Sequence, residues 1–122
     1  MTKLMALAIP ILPGKTEQWR KFTNELNTTR KKEFDASRKS LEVRERTFFQ
    51  STPTGDLVLV TLEGENPKEA FRKLGQKNDE FTKWFTAQAK EIHGFDLSKE
   101  PPFPFPELIA ETEPIGEHVH NL

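Results

Sequence analysis

The chain has 122 residues, 30% of them charged, a formal net charge of -1, and neither Cys nor Tyr. That length suits one domain, able to bury a core yet small enough for association to add to its stability. Balanced charge argues against a nucleic-acid surface, and the lack of thiols excludes disulfides, thiol nucleophiles and thiolate metal sites.

Leu4 to Leu12 is almost continuously apolar. A single preceding Lys, Pro10 within the run, no small-residue cleavage site and a length far below the ~20 residues of a membrane span argue against a signal or anchor. The run predicts a central strand covered on both faces, in a cytoplasmic protein with no membrane partner. Pro13-Gly14 ends it, and the period changes. Trp19, Phe22, Leu26, Thr29, Glu33 and Ser37 recur at three- and four-residue steps. They predict one helix from Thr16, its N-cap, to about Lys39, with Arg30, Lys31, Lys32, Arg38 and Lys39 on a solvated face.

Val43–Thr52 and Leu57–Gly64 are β-rich runs joined by Pro53-Thr54-Gly55-Asp56, which predicts a hairpin. If Pro53 opposes Asp56, then Gln50 faces Leu59, Phe48 faces Thr61, Arg46 faces Glu63 and Arg44 faces Glu65. The other face pairs Ser51 with Val58, Phe49 with Val60 and Thr47 with Leu62. A bulge at Gly55 would shift the register by one and exchange the faces. Asn66-Pro67 reads as N-cap and first helical residue, and Gly75 breaks that helix. Phe81, Trp84, Phe85, Gln88 or Ala89, and Ile92 then line one side of another helical stretch that Gly94 ends. Pro101, Pro102, Pro104 and Pro106 impose an extended path interleaved with Phe103 and Phe105. Glu107 to Glu113 is the expected last strand, and residues 114–122 are the expected mobile tail.

The predicted fold over residues 1–113 is therefore α+β, a ferredoxin-like βαββαβ unit whose four-stranded antiparallel sheet carries both helices on one face. The opposite face, with Phe48, Leu57 and Leu59, needs a partner, and a second copy of the chain is the expected one.

This order, with the hairpin VRERTFFQSTPTGDLVLVTLEGENP, the segment DEFTKWFTAQAKEIHGFDL and the proline-rich lead into ELIAE, resembles a bacterial family of small uncharacterised proteins in the dimeric α/β barrel superfamily. The resemblance runs over about residues 3–113. It implies a homodimer packed sheet against sheet. Monooxygenase-like proteins occur in that superfamily, but the family itself supplies no activity.

Three groups of residues are candidates for chemistry. His93 can act as a general base or haem ligand, or can simply interact with its helix C-terminus. Trp84 and Phe85 either line a pocket or belong to the core. Arg44, Arg46, Gln50, Glu63 and Glu65 form either a substrate-binding group or an ion-pair ladder that fixes register. Haem-degrading relatives use a first-strand Asn, and Leu4 to Leu12 contains none. The sequence calls for no cofactor and no metal, and His118 and His120 are too isolated to make a metal site. Three functions remain: a dimer with a small-molecule pocket of unspecified activity; a cofactor-independent monooxygenase or isomerase acting on a small, partly aromatic substrate, with His93 as base; and a non-catalytic ligand-binding or structural dimer.

Overall fold

The computed structural model describes residues 2–116. In chain order the elements are β1 (Lys3–Pro10), α1 (Thr16–Asn27), α2 (Lys31–Ser40), β2 (Val43–Thr52), β3 (Gly55–Gly64), α3 (Pro67–Lys73) and α4 (Glu80–His93). Among the described residues the sheet has three antiparallel strands in the order β1-β3-β2. The expected four-stranded ferredoxin-like βαββαβ unit is thus corrected on two counts.

The first concerns the end of the chain. Glu107 to Glu113 forms no strand and lies exposed. The nearer edge of its own sheet is β1, whose uncovered face carries Leu4, Ala6 and Ala8. Pairing there would set Glu107, Glu111 and Glu113 against apolar side chains with no cation among them. The second concerns the first helix, which breaks at Thr28-Thr29-Arg30. Thr28 leaves helical geometry (φ -130°, ψ -92°), and the Thr28 and Arg30 amides both donate to the Glu25 carbonyl, at 3.2 and 2.8 Å. Asn-Thr-Thr is poor helix material, so little is lost by the break. Its consequence is rotational. Beyond Leu26 the inward residues are Phe34 and Arg38 rather than Thr29, Glu33 and Ser37.

β1 is also not the central strand. It occupies an edge, and its residues alternate buried and exposed, with Met5, Leu7 and Ile9 facing the helices. Thr16 does not cap α1; its hydroxyl donates to the Asp56 carboxylate at 2.6 Å and ties the start of the helix to β3. The hairpin is tighter than expected. Thr52 pairs with Gly55 across Pro53-Thr54, and Gly55 enters the strand at φ 141°, a conformation that favours glycine. Partners shift by two residues, so Phe48 opposes Leu59 and Arg44 opposes Glu63. A shift of two leaves each side chain on its expected face.

α3 and α4 follow their sequence signals. The Asn66 side chain accepts from the Glu69 amide and Pro67 opens α3. Asp79 accepts from the Thr82 amide at 3.0 Å, and Gly94 ends α4 in the left-handed region at φ 85°. Phe103 and Phe105, spaced by prolines, pack back onto the core through edge-on contacts with Phe95 and Phe71 at 5.5 and 5.7 Å. His118 and His120, with most of the expected mobile tail, lie outside the described residues.

All helices cover one face of the sheet. Two apolar clusters result, one around Met5, Leu7, Leu62, Phe71 and Leu74, the other around Trp19, Phe22, Val58, Phe81 and Ile92. Leu62 is wholly buried whereas Leu4, on the uncovered face, is 56% exposed. Leu62→Ala should cost about 2–5 kcal/mol in chemical denaturation. Leu4→Ala should cost less than about half of that, because a half-exposed side chain loses little burial.

Candidate functional site

Where the clusters meet, they leave a cavity of about 60 Å³ between the helices and the sheet. A single water needs ~10–15 Å³ on such a measure, so the space suits a few waters or a small organic group. Its walls are largely apolar. Trp19, Phe22 and Leu26 come from α1, Val58, Val60 and Leu62 from β3, and Phe85 and Ala89 from α4.

Into this lining come two groups of opposite charge. Arg38, from α2, is 5% exposed and donates from Nε to Glu45 Oε1 at 2.6 Å. Its Nη1 donates to Ser37 Oγ at 2.8 Å, and its guanidinium carbon lies 5.0 Å from the centre of the Phe34 ring and 4.6 Å from that of Phe85. Such stacking suits a planar, weakly hydrated cation. Glu45 comes from β2, and its second oxygen accepts from Thr47 Oγ1 at 2.9 Å. Every polar atom of the pair is occupied except one. Nη2 of Arg38 is buried and has no hydrogen-bond partner among the described residues. A buried cationic donor is costly without a partner, which a water or a small ligand in the cavity can supply.

His93 stands at another part of the lining, in the last turn of α4. Its Nδ1 lies 2.8 Å from the Pro10 carbonyl oxygen. A carbonyl only accepts, so Nδ1 carries the proton and neutral His93 keeps an unprotonated Nε2. Burial lowers its pKa below the ordinary 6.5 by disfavouring the imidazolium, and the Pro10 carbonyl offsets this in part.

The residues singled out from the sequence divide between two places. His93 and Phe85 line the cavity, whereas Trp84 does not. Trp84 is half-buried beside Phe22 and Phe81, with the Arg30 guanidinium 4.2 Å above its ring. Arg30 in turn holds Glu80 at 3.1 Å. Arg44, Arg46, Gln50 and Glu63 lie on the uncovered sheet face, where Arg46 reaches Glu63 at 3.5 Å with both side chains about 40% exposed. Arg44, Arg46, Glu63 and Glu65 line a shallow groove that also touches Arg38 and Glu45 from outside. The solvated face expected for Arg38 is corrected, because the break before α2 turns that residue inward. Glu45 carried an overlooked signal. It shares strand parity with Val43 and Phe49, so it had to point toward the core, and a buried carboxylate requires a cation.

No family model, curated protein or solved structure matches the chain. Among the described residues, no helix is long and apolar enough to cross a membrane.

Removing one member of a buried pair strands the other. Arg38→Met or Glu45→Leu alone should therefore cost about 3–5 kcal/mol, and the double variant should cost less than the sum of the two. Denaturation midpoints of the four proteins measure the coupling. A pH effect follows from His93. Below 6.5 the unfolded chain takes up a proton that the folded chain does not accept until its own, lower pKa is reached. Stability from this group is full above pH 6.5 and is lost as pH falls through that window. Denaturation at a series of pH values should show the loss, and His93→Gln should flatten it.

Proposed function

We propose that this protein is a cytoplasmic homodimer, paired through its uncovered sheet face, that binds a small and mostly apolar molecule between helices and sheet. The observation that carries the reading is the spare Nη2 of Arg38, a residue lining a largely apolar, aromatic-walled cavity. Arrangements of this kind, apolar walls with a few fixed polar groups, are what small-ligand sites use for affinity and orientation.

Charge selects the class of ligand. Arg38 and Glu45 already neutralise each other, so a carboxylate added beside them would bury one net negative charge. A neutral acceptor, such as the carbonyl of a ketone, lactone, amide or quinone, satisfies Nη2 without that cost. The aromatic walls suit a ring or a short planar chain.

Thermal shift and calorimetric titration against small cyclic carbonyl compounds and their carboxylic-acid counterparts test this. The carbonyl compounds should bind, and the acids should bind at least tenfold more weakly. A hydrogen bond from a charged group contributes about 1.5–3 kcal/mol, so the folded double variant Arg38→Met with Glu45→Leu should weaken binding by about 10- to 150-fold. Equal affinity of that variant, or a preference for the acids, would refute the assignment.

A second reading, catalysis without a cofactor, is favoured by the tautomer of His93. With Nδ1 held by Pro10, Nε2 is a neutral base beside the same cavity. An isomerase or monooxygenase acting on a small, partly aromatic carbonyl compound would use Arg38 to hold the oxygen and His93 to accept a carbon-bound proton. Exchange of that proton for deuterium in bound ligand, followed by NMR, should be lost in His93→Gln while binding persists. Exchange that continues in this variant would exclude His93 as the base.

A further inference from the structure

The last described stretch of the chain raises a separate question. Leu108 and Ile109 are 66% and 81% exposed, among the most exposed large apolar side chains of the molecule. They sit in Glu107–Glu113, a run with strand-like alternation that pairs with nothing in its own sheet. Phe105, just before it, is fixed edge-on against Phe71 of α3, and α3 packs on β1 and β3. The arm therefore leaves the fold on the β1 side. β2, at the opposite edge, pairs on its outer side with no strand among the described residues, and carries Arg44, Arg46 and an exposed Phe48 there.

We infer that Glu107–Glu113 is an exchanged arm which adds, antiparallel, to the outer edge of β2 in a second copy of the chain. One register satisfies both faces of the strand. With Ile109 opposite Phe48, Glu111 falls opposite Arg46 and Glu113 opposite Arg44, all on the uncovered sheet face. On the helix side Leu108 falls opposite Phe49 and Ala110 opposite Thr47. Opposed residues in such a ladder have their Cβ atoms ~4.5–5.5 Å apart, close enough for each apolar and charged pair to meet. The parallel alternative that keeps Glu107 beside Arg44 sets Ile109 against Arg46 and Glu111 against Phe48. The uncovered face of β1 offers Leu4, Ala6 and Ala8, and its one cation, Lys3, has the opposite parity. Charge complementarity thus selects β2, and strand addition also satisfies the backbone groups along that edge. Exchange is reciprocal, so two copies form two identical junctions.

This inference rests on the homodimer proposed above and is independent of what the cavity binds. The test uses two charge reversals in the full chain, Arg46→Glu and Glu111→Arg, both at partly or fully exposed positions. Each reversal alone places like charges at both junctions, so each variant should dissociate at least tenfold more readily than the wild type in analytical ultracentrifugation, with unchanged circular dichroism. Mixing the two variants should restore the dimer, because one junction then carries the original pair and the other carries the reversed pair. As a second measurement, Phe48→Cys with Ile109→Cys in this cysteine-free chain should, on oxidation, give a covalent species of twice the 14.1 kDa chain mass. A monomeric wild type would remove the homodimer itself. A wild-type dimer unaffected by either reversal, or two dissociated variants that do not recombine, would overturn the arm alone, as would a disulfide formed within one chain.

Discussion

The fold depends on β3 being hydrogen-bonded on both sides. β1 and β2 are far apart in sequence and are not neighbours in the sheet; each is held by its own ladder to the strand between them. The inward side chains of that strand, Val58, Val60 and Leu62, form the floor for both apolar clusters, with Val60 touching each. Helices can then lie on only one side of the sheet, because that is where the alternation of all three strands agrees. A cavity between helices and sheet, and an uncovered face behind it, are two results of the same patterning.

The buried Arg38–Glu45 pair is the second constraint, and it comes from a local event. Breaking the first helix at Thr28–Arg30 rotates α2, and the rotation carries a guanidinium into the interior directly above a strand position whose parity already points inward. Opposite charges brought together this way contribute little net stability over an apolar alternative. Their value is positional. The pair joins α2 to β2, fixes the plane of the guanidinium against Phe34 and Phe85, and leaves one donor directed by that plane.

Much of this was legible in the sequence wherever a local rule acts alone. The N-cap at Asn66, the left-handed stop at Gly94, the break at Gly75 and the parity of the hairpin all follow from single residues and short spacings. What escaped depends on the competition between neighbours. The continuous apolar run of β1 looks central because Ala6 and Ala8 count as apolar, although small side chains are equally at ease on an exposed face. The stripe through Thr29, Glu33 and Ser37 extends the period of α1 but contains no large apolar residue, which is the reason it could not hold one helix together. The strand expected at Glu107 to Glu113 has the alternation of a strand and lacks a suitable neighbour within its own chain. His93, read as a base, haem ligand or helix-end residue, and Phe85, read as pocket wall or core, both line the cavity, whereas Arg38 was assigned to solvent because its orientation is set by the helix break at Thr28–Arg30 and not by its own neighbours in sequence.

The aromatic arrangement has an optical consequence. Of the two Trp residues, Trp19 forms part of the cavity wall and stacks on Phe49 with ring centres 5.3 Å apart, while Trp84 stands outside it beneath a guanidinium. With no Tyr in the chain, all near-ultraviolet emission excited at the red edge of absorption comes from these two indoles. One senses the interior and the other senses the surface, so the protein carries a reporter and an internal reference without a label.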